Sequence, residues 1–321
     1  MITGATAASI QSQINYTREH ELEADRIGFQ RLTDAGFDPR AMASFFDRLQ
    51  KATRLVEGNT PGYLRTHPLT HERVAEAEDR AFNAPYRQIR DSVEFHMVRA
   101  LLRSYEGEPR EAVARLEKEL VEGRYRDARA ARYGLAAALL RAKAFTRAEA
   151  EIAVLNKGGE RHPMVEALTG QVLLQSGRLV EARQHYESAL ARFPDHLQLV
   201  YDYPQVLLRQ KAYQEAIRFA EARLSSRPED GSLHQIVAEA ASALGQGVKS
   251  HRHQGEYEAA RGNLPGALEQ FQIAVRLGKG DDHDLQIAEI RLKSLRELQK
   301  AADRNNRERN GLMPLPTLTP R

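Results

Sequence analysis

Alanines 148, 182 and 216 stand 34 residues apart, each in a similar local setting. In "ALTGQVLLQSGRLVEARQHYESALARFP" (167–194) small residues fall at Gly170, Gly177, Ala182 and Ala189. Larger apolar groups fall at Leu173, Leu179 and Tyr186, and Pro194 closes the unit. The segment 201–228 repeats the spacing with Leu207, Tyr213, Ala216 and Pro228, and 135–155 supplies Ala136, Leu139, Phe145 and Ala148. A chain with this period builds antiparallel helix pairs, and one pair cannot bury its own apolar face. The small positions let two helices approach closely, the larger ones fill the gaps, and proline stops the second helix. Such a chain is bound to a stack of helices. Upstream, Ala112 precedes Ala148 by 36 residues; downstream, Ala267 follows Ala216 by 51, one and a half periods, so an extra helix is expected near 233–245.

The unit resembles the tetratricopeptide repeat. Four to five units are expected over residues 92–280, then a closing helix at 283–302. The fold class is therefore all-α, with a repeat superhelix over 91–302 and a polar, Pro-rich tail over 303–321 expected to be disordered. A superhelix of this kind has a concave face that takes a protein or peptide partner. The repeat residues named above fix packing and identify no partner.

Composition narrows the field. Aromatic residues make up 7% of 321 and Trp and Cys are absent, which disfavours sheets and rules out disulfide and thiol chemistry. The 47 basic and 44 acidic side chains nearly cancel and are interspersed along helical stretches, so no one-sided basic groove for nucleic acid is expected. No stretch approaches the roughly 18 apolar residues of a membrane span. Residues 1–15 show neither the basic nor the apolar region of a signal peptide. There is no glycine-rich phosphate loop and no nucleophile elbow.

The first ninety residues do not follow the repeat. A helix is expected from Ile10 to Asp34 with Gly36 as its stop. A second starts at Pro39 with Asp38 as N-cap, and a third carries Arg73 through Phe82 with Thr70 as N-cap. Residues 55–66 read as loop. Within "TREHELEADRIGF" (17–29), His20-Glu21 is one histidine short of H-E-x-x-H, the helix-borne zinc signature; His71-Glu72 is a second near-miss. Glu21 and Asp25 are four apart and share a helix face, while His20 points about 100° away from Glu21. His71 falls on the first turn of its helix, in a capping or surface role. The other histidines scatter among the repeats. His251-x-His253 is a weak metal pair at best and reads better as solvated at a turn or helix end.

Arg18-x-x-Glu21-x-x-Ala24-Asp25 with "RIGF", then "AGFDPRAMASFFDRLQ" and "RTHPLTHERVAEAEDRA", resemble in order the bacterial gluzincin metallopeptidases, the family of the CAAX prenyl proteases and HtpX. The likeness extends to periplasmic members that end in tetratricopeptide repeats. It implies a zincin-type segment over 1–90 in which Glu21 is the third zinc ligand and Asp25 steadies a ligand histidine. His67, 46 residues past Glu21, would fill the open zinc position or act as an inhibitory switch. It also implies zinc in the full-length protein, a periplasmic location, and work on outer-membrane protein assembly and quality control, with assembly machinery or unfolded barrel proteins as partners. The H-E-x-x-H helix, which brings two His ligands and the general base, is absent from the 321 residues. The family places it upstream, so Met1 reads as an internal start, and this chain alone is expected to bind no zinc and to be inactive. A non-enzymatic repeat scaffold is the alternative.

Overall fold

The computed structural model describes residues 2–54, 69–87, 89–157, 159, 161–278 and 282–311, with side chains from 18 to 301 except 52–54. The described residues are all helix and connection, with no strand, and form two compact units, 1–92 and 93–321.

The first unit contains α1 (Ile2–Asp34), α2 (Ala41–Arg54) and α3 (His71–Asn83). α1 begins at Ile2 rather than Ile10, because the Ala-rich start "ITGATAAS" favours helix more than its polarity disfavours it. It ends as expected at Gly36, whose φ of +81° allows Phe37 N–H to reach back to the Leu32 carbonyl at 2.9 Å. Asp38 caps the turn into α2 by accepting from Arg40 N–H at 3.1 Å, and the helix itself starts at Ala41. Phe46, Ala77, Ala81 and Ala84 are the buried apolar residues that join α2 to α3, and the Arg40 guanidinium ties the end of α3 by donating to the Ala84 carbonyl at 2.8 and 3.2 Å. No residue of α1 between 18 and 34 is fully buried, in contrast to the repeat helices. The loop expected at 55–66 lies outside the described residues.

The second unit runs α4 (Val93–Ser104), α5 (Pro109–Val121), α6 (Ala128–Arg141), α7 (Phe145–Asn156), α8 (Pro163–Gln175) and α9 (Leu179–Arg192). It continues through α10 (Leu197–Arg209), α11 (Tyr213–Leu224), α12 (Gly231–Ala243), α13 (Gly247–Ala260), α14 (Leu264–Leu277) and α15 (Asp282–Gly311). Consecutive helices pack as pairs, and α4, α6, α8, α10 and α12 also pack on one another to form a continuous wall. The small residues do what the spacing predicts. A Cβ on Gly170 would lie 2.6 Å from Tyr186 Cε1, so the fully buried ring packs directly on backbone.

The 51-residue step resolves into a complete unit and a half. The left-handed residue closing the turn within each pair falls at Gly107, Lys143, Gly177, Lys211 and Gly245, the last four in phase at 34 residues. Ser250 stands where the repeat alanine belongs, 34 residues after Ala216, and its hydroxyl donates to the Ala238 carbonyl at 2.9 Å. The expected extra helix is α12. α13 is its partner and also pairs with α14, where Gly255 meets the Phe271 ring with the same sixteen-residue spacing as Gly170 and Tyr186. The closing helix passes residue 302 and reaches Gly311, since nothing before Pro314 breaks it. The front of the tail expected to be disordered is thus helical; residues 312–321 lie outside the description.

The pair His251 and His253 is not at a turn or in solvent. Both sit inside α13: His251 Nδ1 bonds Gln270 Oε1 at 2.8 Å, and His253, 2% exposed, bonds His234 of α12 through Nδ1 to Nδ1 at 2.8 Å. His234 Nε2 reaches the Pro228 carbonyl at 2.9 Å, and the Arg252 guanidinium reaches His253 Nε2 at 2.5 Å. Glu166, also buried, is compensated by Arg192 at 3.2 Å, His185 at 3.3 Å and Arg161 at 3.5 Å.

Candidate metal centre

Glu21 and Asp25 do share a face of α1, and what they face is Arg73. Thr70 caps α3 by accepting from Arg73 N–H at 3.3 Å, which sets Arg73 on the first turn with its side chain directed at α1. Arg73 then grips Asp25 with both prongs, Nε to Oδ2 at 2.6 Å and Nη2 to Oδ1 at 2.8 Å. Its remaining Nη1 lies 2.9 Å from Glu21 Oε2. The guanidinium stacks over the Phe46 ring with 5.4 Å to the centroid. The three side chains are only 11%, 14% and 16% exposed for Arg73, Glu21 and Asp25, so the attraction acts with much of the water excluded. Such a bidentate charge-assisted pair is among the stronger polar contacts a protein makes.

His20 is exposed, on a different side of α1 from the ion cluster, and His71 is exposed on the first turn of α3. His67 lies outside the described residues. Among those described, no group of three or more His, Asp or Glu could hold a metal ion. The described residues therefore do not complete a zinc site, and the Glu21 carboxylate is paired with Arg73. Spacing does not reveal that Arg73 joins Glu21 and Asp25: it sits 48 positions from Asp25, and its local signal is its place on the first turn of a capped helix.

The second feature able to bind something is a groove of about 730 Å³ along the wall formed by α4, α6, α8 and α10. Asp202 anchors one side of it. Its carboxylate accepts from Gln198 Nε2 at 2.8 Å, Gln171 Nε2 at 3.0 Å and the Tyr186 hydroxyl at 3.3 Å. Burial pushes the Asp202 carboxyl above the usual range, against the pull of those three donors. Among the described residues, no helix is long and apolar enough to cross a membrane.

Comparison with known proteins agrees with this division. Residues 1–81 match the model of peptidase family M48, and residues 97–156 and 173–240 match tetratricopeptide repeat models. A Vibrio cholerae relative bearing the name of a β-barrel assembly-enhancing protease is 32% identical over 285 residues, 86% of this chain and 57% of that one. The β-barrel assembly-enhancing protease of Escherichia coli K12 is 29% identical over 306 residues, 93% of this chain and 61% of that one. The chain thus spans about 57% to 61% of the length of these curated relatives. Among solved structures, a tetratricopeptide repeat protein from Parabacteroides merdae is similar at 13% identity and a TM-score of 0.40, over 85% of this chain and 99% of that one. Family M48 is generally metal-dependent. By sequence the chain is an M48 peptidase segment followed by tetratricopeptide repeats, homologous over most of its length to the β-barrel assembly-enhancing proteases.

Proposed function

We propose that the chain is the C-terminal part of a zinc-dependent endopeptidase and chaperone of the periplasm, acting in outer-membrane protein assembly and quality control, with the repeats as its protein-binding surface. The observation that carries this is the carboxylate pair Glu21 and Asp25, largely withdrawn from water at a helix face and followed in the chain, after α2 and α3, by the repeats. The names of the relatives support the cellular role. In the full-length protein Glu21 is the third zinc ligand, Asp25 steadies a ligand histidine, and His67 fills the remaining position or acts as a switch. The zinc would polarise the scissile carbonyl and its attacking water. In this chain alone Arg73 compensates both carboxylates, and the chain is inactive.

The test uses the longest natural reading frame containing these residues. Glu21→Gln is expected to lose bound zinc, measured by elemental analysis, and cleavage of an unfolded barrel protein, while its circular dichroism is unchanged. Zinc content and cleavage equal to the parent protein would refute the assignment. The Arg73 clamp, which leaves neither carboxylate dependent on a metal, favours as second reading a non-enzymatic repeat scaffold. That reading expects Glu21→Gln to be silent in every assay.

A further inference from the structure

The groove along α4, α6, α8 and α10 carries a chemistry that the repeat spacing does not dictate. Tyr133 is 5% exposed, and among the described residues its hydroxyl has no hydrogen-bond partner although it lines the groove. Gln175 and Gln205, exposed on the same wall, have no side-chain partner there either. Gln171 and Gln198 spend their amide N–H on Asp202, which leaves their carbonyl oxygens free as acceptors. The wall thus offers neutral donors and acceptors together. A peptide main chain presents the same pairing, N–H and C=O at every residue, provided it is extended; a helix has already used both internally.

Charge narrows the occupant further. Arg141, Lys143 and Arg209 line the groove, and among the described residues none of them pairs with a carboxylate. Arg141 donates to the Ser104 and Gly107 carbonyls and stacks on Tyr105, and Arg209 donates to the Leu174 carbonyl at 3.2 Å. Among the described residues that line the groove, the acidic side chain is Asp202, and it is already engaged by three donors. Leu101, Leu140 and Phe145 add apolar surface to the same lining, suited to the apolar side chains of a strand.

We infer that this groove binds an extended, acidic segment of unfolded polypeptide, read mainly through its main chain by the Tyr133 hydroxyl and the glutamine amides. The inference rests on the repeats being a protein-binding surface and names the class of segment they take. Recognition of this kind tolerates many sequences, and it fits strands not yet paired in a sheet. Burial holds the Tyr133 hydroxyl up to about 12, so it stays a donor at any physiological pH.

The test is fluorescence anisotropy with the whole 321-residue chain and four labelled twelve-residue peptides. These are an alternating Thr-Glu peptide, its Thr-Lys counterpart, the Thr-Glu peptide N-methylated at alternate residues, and an acidic peptide stapled as a helix. The Thr-Glu peptide is expected to bind at least tenfold more tightly than each of the others. Gln175→Leu/Gln205→Leu, both exposed and unengaged, is expected to weaken it about tenfold with an unchanged thermal melt. Equal binding of the Lys peptide, the N-methylated peptide or the stapled helix would overturn the inference. So would full-strength binding of the Thr-Glu peptide to the double variant. An unfolded barrel precursor that binds parent and double variant alike refutes the groove chemistry while leaving the repeats as a binding surface. If neither precursor nor peptide binds, both readings fail.

Discussion

Lowering the pH from 7.5 to 5.0 should loosen α12 and α13 before the rest of the repeat unit. The hydrogen bonds of His234 and His253 leave no ring nitrogen for an extra proton. His234 donates Nε2–H to the Pro228 carbonyl and so presents a lone pair at Nδ1; His253 donates Nδ1–H to it and accepts from Arg252 at Nε2. Burial pushes both imidazoles below the ordinary histidine value, with Arg252, His234 and Lys249 adding to the effect at His253. At His234 the Pro228 carbonyl, Glu256 and Asp230 oppose it, and Arg252 reinforces it. Glu221 of α11 and Asp284 and His283 of α15 line the same cavity, and the two carboxylates lie at Lys249 Nζ, 2.7 and 3.4 Å away. Below pH 6.5 the unfolded chain takes up protons that the folded pair refuses, so stability is full above that pH and is lost as the pH falls. For a histidine kept neutral, the loss by pH 5.0 is about 2 kcal/mol, hence up to about 4 kcal/mol for the pair, or roughly a thousandfold in the opening equilibrium. Hydrogen exchange by mass spectrometry, corrected for the intrinsic rate, should show this loss of protection in α12 and α13. α6 and α7, which contain no histidine, serve as the internal control. His234→Gln/His253→Gln should be less stable at pH 7.5 and lose most of the excess pH dependence. Equal acid sensitivity in parent and variant, or an imidazole of this pair titrating above 6 by NMR, would refute the reasoning.

Three further outcomes can be checked on the same chain. Arg73→Ala leaves two largely buried carboxylates without their shared cation. It should destabilise the first unit by about 2–3 kcal/mol, read as lost exchange protection in α3 and the second half of α1; a change under about 0.5 kcal/mol would mean that the clamp is ornamental. Gly170→Ala drives a methyl into the Tyr186 ring and should cost about 1–3 kcal/mol, and Gly255→Ala should do the same against Phe271. Unchanged urea midpoints would show that these helices can move apart. Lys211→Gly removes a side chain held at φ +60° and should raise stability by up to about 1 kcal/mol, the relief of left-handed strain exceeding the entropic cost of glycine; a lower melting temperature would contradict this.

The architecture was readable because its determinants are periodic. Ala148, Ala182 and Ala216 are all fully buried, and the helices fall where the 34-residue spacing puts them. The C-terminal units were harder, since Ser250 replaces the marker alanine and a single helix, α13, serves two pairs. The turn residue Gly245 kept the phase, and a search on turns as well as on alanines recovers it. His253 was misread for a related reason: charge and polarity place a histidine at the surface, whereas a second histidine on the neighbouring helix satisfies it in the interior. Its partner is nineteen residues away, beyond any local pattern.

The candidate centre divides along the same line. That Glu21 and Asp25 share a face follows from a four-residue spacing on a helix, a property of the local chain. That Arg73 meets them depends on α1 and α3 packing together, which nothing in either segment encodes alone. The groove shows the converse. Gln171, Gln175, Gln198 and Gln205 occupy positions the repeat leaves open, so packing did not choose them, and side chains free of a packing duty are where a repeat fold can hold its specificity. The positions that made the fold legible are thus the least informative about its partner, and the wall residues that the period leaves free are where recognition has to be measured.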